Sequence, residues 1–137
     1  TADMLDTYKG EMDEVVYRRC RYVVDENQRL LDACAALEKG DYVTFGQKMN
    51  GSHEGLSRQY EVSCDELDFL ADIGHRTDGV LGARMMGGGF GGCTINLVKD
   101  ELYDNFIATA KKRFNEKYGH EPKVYEVVIS DGSRRLE

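Results

Sequence analysis

The most unusual segment of this sequence runs from residue 82 to residue 93 and reads Gly82-Ala83-Arg84-Met85-Met86-Gly87-Gly88-Gly89-Phe90-Gly91-Gly92-Cys93. Five of the six residues from 87 to 92 are glycine, so Phe90 carries the only Cβ of that stretch. A backbone without Cβ atoms adopts positive φ angles and approaches another backbone or a phosphate closely. Composition alone leaves two interpretations open: a plain chain reversal, and a turn that lies beside a phosphate.

Two familiar nucleotide-binding motifs do not explain these glycines. Gly87, Gly89 and Gly92 satisfy the spacing G-x-G-x-x-G, but that fingerprint opens a helix, and here it runs into a strand pattern. A Walker A loop requires Gly-Lys-Ser/Thr, which does not follow. We therefore do not expect a dinucleotide-binding fold.

The residues around the glycines indicate an α+β domain with a mainly antiparallel sheet. Strands are expected over 82–86 and 93–98, joined by a tight turn in which at least one glycine has φ > 0. A helix is expected over 100–118 and a further strand over 123–129. If Gly88 has a dihedral angle that only glycine tolerates, Gly88→Val should cost roughly 1–3 kcal/mol of stability.

The first half of the chain predicts three helices, over 13–39, 41–56 and 63–74. Ser63 and Glu66 have the spacing of a capping box at the start of the third. Apolar residues recur at helical spacing in the first helix, with Asn27 interrupting them: Val16, Cys20, Val23, Leu30, Cys34 and Leu37.

Composition excludes several classes of function. Apolar residues make up 41% and charged residues 31%, as in soluble globular domains, and the net charge of -7 argues against binding to a nucleic-acid backbone. No apolar run approaches the roughly 20 residues that span a bilayer. We expect neither a nucleic-acid nor a membrane partner. The chain opens at Thr1, which suggests a piece of a longer protein, and the final Leu136-Glu137 is a candidate cloning addition.

The cysteines Cys20, Cys34, Cys64 and Cys93 lie far apart, without the close pairs of zinc or redox motifs. We expect no metal site and interpret these residues as buried thiols of a cytoplasmic protein.

The glycine segment resembles the third signature motif of the GHMP kinases, the superfamily of galactokinase, homoserine kinase and mevalonate kinase. The order Gly-Gly-Gly-Phe-Gly-Gly-Cys-Thr is similar to galactokinases in particular. Further stretches resemble galactokinase segments in the family's order: 19–29, 40–42, 45–46, 52–53, 60–68 and 130–132.

The resemblance implies that residues 1–137 form the ferredoxin-like (α/β plait) C-terminal domain of such a kinase. Galactokinases transfer the γ-phosphoryl group of Mg-ATP to the anomeric hydroxyl of galactose, so ATP, Mg²⁺ and galactose are implied for the full-length enzyme. In the family the N-terminal domain supplies the phosphate-cradling loop, the catalytic aspartate and most sugar contacts. That domain is the implied partner, and we expect this chain to contain no catalytic residue and to be inactive alone.

The resemblance implies a supporting role close to the nucleotide phosphates for Gly87, Gly88, Gly89, Gly91 and Gly92, with Met86 and Phe90 beside them. Met86 departs from the family, which usually has threonine there. A methionine thioether is at best a weak hydrogen-bond acceptor. Either the threonine hydroxyl of the family is dispensable at this position, or this protein binds its nucleotide differently.

Three other hypotheses remain open. The full protein is a kinase for another sugar, such as N-acetylgalactosamine or arabinose; or it is a non-catalytic sugar sensor that acts in transcription by binding a regulator. A free-standing ferredoxin-like binding domain is the third, and it predicts a closed polar surface where a kinase domain exposes an apolar interface.

Isolated polar residues have simpler interpretations. His53 is expected on a helix surface or at an interface, and His75 at a solvated helix end. Arg84 is expected to pair with an acidic residue, and Asp68 to favour the start of a helix through its dipole.

Overall fold

The computed structural model describes residues 1–132 and 134–135. Its helices and strands follow in the order α1 Ala2–Thr7, a 3₁₀ turn Lys9–Glu11, α2 Glu14–Glu38, α3 Tyr42–Arg58, α4 Asp65–His75, β1 Val80–Met86, β2 Cys93–Val98, a 3₁₀ turn Asp100–Leu102 and α5 Tyr103–Tyr118. The Leu136-Glu137 pair lies outside the described residues. Among the helices described, none is long and apolar enough to cross a membrane.

The three helices predicted for the first half are confirmed as α2, α3 and α4, with ends displaced by at most two residues. Asp13 and Asp41 cap α2 and α3, because their carboxylates accept hydrogen bonds from backbone amides of the first turn. The capping box predicted for α4 is wrong. Cys64 is the N-cap residue, and the Ser63 hydroxyl donates to Asp68 instead.

The two strands flanking the glycines are confirmed, and they pair antiparallel. Met86 lies opposite Cys93 next to the turn, and the register continues to Val80 opposite Val98, with an irregularity between Val80 and Gly82. The expected α+β class with an antiparallel sheet is therefore confirmed.

The strand predicted over 123–129 is wrong. These residues form no helix or strand, and Val127, Val128 and Ile129 are 77%, 91% and 100% exposed. Their β-branched composition suits a strand, but a strand also needs a neighbour for its backbone amides and carbonyls. In the part of the chain that the structure describes, no strand runs beside them.

The helices are arranged around the hairpin. α4 packs across both strands, α3 runs along β1, α2 packs on α3, and α5 packs on α4. The best-buried apolar residues belong to α4 and β1: Leu67, Ala71, Ile73, Ala83 and Met85. Glycine allows α3 to touch β1, since a Cβ on Gly46 would lie 2.1 Å from the Leu81 carbonyl oxygen.

The four cysteines are free thiols, but their predicted burial is wrong. Cys20, Cys34 and Cys93 are exposed and Cys64 is half-buried. Cys20 and Cys34 share a side of α2 with Val16, Val23, Leu30 and Leu37, which are exposed as well.

Candidate functional site

The glycine turn, residues 87–92, is a left-handed reversal between β1 and β2. Gly87, Gly89, Gly91 and Gly92 have φ angles of 86°, 88°, 134° and 109°. Side chains with a Cβ rarely adopt these angles, so the backbone path requires glycine. The predicted tight turn with at least one positive φ is confirmed.

Phe90 is the residue of the turn that breaks this rule. Its φ is 59°, a left-handed value that costs roughly 1–2 kcal/mol for an L-residue. Its side chain is 77% exposed, so burial within this domain does not offset the strain. Its backbone N–H donates to the Val62 carbonyl oxygen at 2.7 Å, and this bond anchors the turn.

The turn is closed on one side and open on the other. A Cβ on Gly89 would lie 2.0 Å from the Val62 carbonyl oxygen, so this glycine is fixed by sterics as well as by its φ. Around Gly87, Gly88 and Gly91 an added Cβ would meet no atom within 4 Å. Gly88 also lacks a positive φ, so the backbone constraint lies at Gly89 and not at Gly88.

The connection between α3 and α4, residues 59–64, supports the closed side. Glu61 has a φ of 62°, and its carboxylate accepts hydrogen bonds from Arg18 at 2.7 Å and Arg19 at 3.2 Å. Among the described residues, Glu61 and Phe90 are the non-glycine residues with positive φ. Phe90 is the donor of the Val62–Phe90 hydrogen bond and Glu61 directly precedes its acceptor, so local backbone strain is concentrated at the bond that holds the turn.

A buried histidine contacts the backbone of β1 two residues before the turn. His53 is 5% exposed, and its Nδ1 accepts a hydrogen bond from the backbone N–H of Met85 at 3.2 Å. Its Nε2 therefore carries the proton and faces Asp68 Oδ1 at 3.3 Å. Burial lowers the pKa of His53, and the Asp68 carboxylate partly opposes that effect. The predicted surface position of His53 is wrong.

Asp68, which faces this histidine, is also hydrogen-bonded to two serine hydroxyl groups. It accepts hydrogen bonds from the hydroxyl groups of Ser57, at 2.8 Å, and of Ser63. Its role is thus more specific than the predicted interaction with the helix dipole, because it joins α3, α4 and their connection. Ser52-His53 and residues 60–68 both resemble galactokinase segments, but nothing in the sequence indicates that they meet in space.

Helix side chains also satisfy the backbone of β1 on the edge that faces α3. The Ala83 N–H donates to Asn50 Oδ1 at 2.8 Å, and His75 Nε2 lies 2.9 Å from the Ala83 carbonyl oxygen. His75 is exposed at the end of α4, as expected, but one ring nitrogen also contacts the backbone of β1. Arg84 has its expected acidic neighbour, with Nη1 3.9 Å from Glu26 Oε1.

The described residues contain no group of three or more His, Cys, Asp or Glu side chains that could hold a metal ion. The site therefore consists of a strained, partly open glycine turn on a rigid polar support. Residues 87–92 carry one side chain, that of Phe90, so the turn offers a ligand mainly its backbone amides and carbonyls.

Comparison with known proteins places this geometry in a family. The family model described as GHMP kinases C terminal matches residues 33–117. A galactokinase from Clostridium beijerinckii is 45% identical over 124 residues, which cover 90% of this chain and 32% of that protein.

Two solved structures are also similar. A Lactococcus lactis galactokinase complexed with galactose has a TM-score of 0.83 and 37% identity, over 88% of this chain and 31% of that one. An L. major mevalonate kinase in complex with R-mevalonate has a TM-score of 0.59 and 28% identity, over 86% and 36%. The chain thus spans about a third of the length of the relatives it matches.

Proposed function

The chain belongs to the GHMP kinase C-terminal family, and from this premise we propose that it is the C-terminal domain of an ATP-dependent galactokinase. The observation that carries the proposal is the glycine turn, fixed from behind by Val62 and open in front at Gly87, Gly88 and Gly91. The similarity to galactokinases expected from the glycine segment is confirmed.

The turn has the properties that a phosphate-proximal element needs. Phosphoryl transfer depends mainly on positioning and electrostatic stabilisation, so a rigid backbone wall beside the phosphates is useful without any reacting side chain. Backbone amides in a turn with positive φ angles form a concavity that attracts anions. The absence of side chains at Gly87, Gly88 and Gly91 leaves room for ATP phosphates or for the loop that holds them.

The remaining parts of the active site are assigned to another domain. The described residues offer no cluster of carboxylates for Mg²⁺, and we assign them no catalytic residue. In the proposal the N-terminal domain of the same kinase supplies the Mg²⁺ ligands, the catalytic aspartate and most of the sugar pocket. Cytoplasmic location remains a prediction.

The alternatives receive less support. The matched sequence relatives and the Lactococcus lactis structure are named as galactokinases, which does not favour a kinase for N-acetylgalactosamine or arabinose, or a transcriptional sensor. A free-standing domain predicts a closed polar surface, whereas α2 exposes Val16, Val23, Leu30 and Leu37.

The test is a measurement of galactose-dependent ADP release with millimolar Mg-ATP. The 137-residue chain should give no signal above a control without galactose, since we assign its described residues neither a catalytic base nor a means of aligning the nucleophile. Adding the separately expressed N-terminal domain should restore turnover, and Met86→Thr should leave that turnover unchanged or raise it. Galactose-dependent ADP release by the chain alone, surviving repurification, would overturn the proposal. So would a restored complex that phosphorylates N-acetylgalactosamine or arabinose but not galactose.

A further inference from the structure

Two arginines of α2 bind the same carboxylate in the connection between α3 and α4. The Glu61 carboxylate accepts hydrogen bonds from Arg18 at 2.7 Å and from Arg19 at 3.2 Å. Because 43 sequence positions separate Arg18 from Glu61, this contact ties the connection to a helix that is distant in the chain.

Stability alone does not explain this arrangement. The three side chains are 40–49% exposed, and ion pairs with that exposure stabilise a fold little, because water and salt screen them. Glu61 also has a φ of 62°, which is unfavourable for a residue with a Cβ, whereas glycine adopts it freely. A strained residue whose ion pairs contribute little stability indicates a functional position.

Val62, the next residue, connects Glu61 to the glycine turn. Its N–H donates to the Leu56 carbonyl oxygen at 3.0 Å, and its own carbonyl oxygen accepts from the Phe90 N–H at 2.7 Å. A Cβ on Gly89 would lie 2.0 Å from that carbonyl oxygen, so the two backbones are in close contact. A change in the backbone angles of Glu61 would therefore displace Val62 and, with it, the turn.

The residue before Glu61 is also anchored. The Tyr60 N–H donates to the Gly55 carbonyl oxygen at 2.9 Å, and the Tyr60 ring packs on the buried Tyr22 ring of α2 with centroids 5.4 Å apart. Residues 60–62, which we call the brace, are thus attached to α2 through Tyr60 and Glu61 and to the glycine turn through Val62.

We infer that Glu61 is a positioning residue for the glycine turn and, through the turn, for the phosphates of ATP, an inference that rests on the proposed function. Glu61 acts only through the backbone of the brace. Backbone amides attract an anion most effectively when they are already in place before it binds. A turn that loses its brace must be ordered when the nucleotide binds, so nucleotide binding weakens. Binding of galactose should not change, because most of the sugar pocket is assigned to the other domain.

The test is the variant Glu61→Gln in the full-length kinase, which removes the charge and keeps the length of the side chain. The KM for ATP should rise by about three- to tenfold, and the KM for galactose should stay the same. Hydrogen exchange is followed by peptide mass spectrometry on the same variant without nucleotide. The peptide that contains Phe90 should take up deuterium faster, because its hydrogen bond to Val62 opens more often.

A matched control and a mutant cycle separate this role from general stabilisation. Arg76→Gln breaks an exposed ion pair of similar kind within α4, the 2.6 Å contact with Asp72, and should leave both KM values and the deuterium uptake unchanged. Arg18→Gln combined with Arg19→Gln should reproduce the effect of Glu61→Gln. Adding Glu61→Gln to that pair should raise the KM for ATP no further, because the three side chains act as one unit.

An active Glu61→Gln enzyme with the KM for ATP of the parent would overturn the inference. Equal increases in both KM values, with faster deuterium uptake throughout the domain, would also overturn it, since a residue that only stabilises the fold gives that result. If the parent kinase does not phosphorylate galactose, the proposed function is rejected, and deuterium uptake alone decides the role of Glu61. Faster uptake confined to the Phe90 peptide then supports the brace, and unchanged uptake rejects it.

Discussion

The replacement Gly89→Ala adds one methyl group at the most constrained point of the glycine turn. An L-residue at its φ of 88° costs roughly 1–2 kcal/mol. The new Cβ would also lie 2.0 Å from the Val62 carbonyl oxygen, so the turn must retreat until ordinary contact is restored. That movement breaks the 2.7 Å hydrogen bond from Phe90, worth about 1 kcal/mol. We expect a total loss of about 2–4 kcal/mol in the free energy of unfolding.

Urea unfolding of the 137-residue chain, followed by circular dichroism, measures this loss. With a slope of about 2 kcal/mol per molar urea, the midpoint should fall by about 1–2 M. Gly88→Ala is the matched control, because Gly88 has no positive φ and an added Cβ meets nothing within 4 Å. It should change stability by less than about 0.5 kcal/mol. If both variants match the unmodified chain, or both lose the same amount, the assignment of the constraint to Gly89 is refuted.

Two further predictions concern the support of the turn and the helix packing. Burial lowers the pKa of folded His53, so the unfolded chain takes up the proton first, and stability should fall as the pH drops through about 6.5, by at most about 1.4 kcal/mol per pH unit. His53→Gln should reduce this slope in urea titrations at pH 5–7.5, and an unchanged slope would contradict the assignment. Gly46→Ala should lower stability by at least about 2 kcal/mol, because its Cβ meets the Leu81 carbonyl oxygen at 2.1 Å; a thermal melt unchanged from the parent would contradict that packing.

The helices and the hairpin follow from local sequence. Asp13 and Asp41 are capping residues that act within one turn, and apolar residues at helical spacing mark α2 and α3. The hairpin follows from five glycines between two short strand patterns, since backbone freedom at Gly87–Gly92 is a property of the residues themselves. Such features depend on neighbours a few positions away, so no knowledge of the fold is needed to predict them.

The candidate site also has features that the local sequence predicts and features that depend on packing. Its glycines were evident from the sequence, but the constrained member was not, because Gly88 and Gly89 differ only in backbone conformation and in the atoms beside them. The Val62–Phe90 hydrogen bond and the His53–Met85 hydrogen bond join residues that are distant in sequence, 32 positions apart in the second case. Their formation depends on how α3 and α4 pack beside β1.

Residues 123–129 and the exposed apolar side of α2, formed by Val16, Val23, Leu30 and Leu37, could not be interpreted from local sequence alone. The first has the composition of a strand but remains unpaired, because hydrogen bonding in a sheet belongs to two strands and not to one. The second has the regularity of a buried face, yet it is exposed, since periodicity shows which residues share a side of the helix and not what covers that side. Local sequence determined the helices, the hairpin and the turn. Packing determined which glycine is constrained, which histidine is buried and which apolar face lies open, because each depends on contacts between distant parts of the chain.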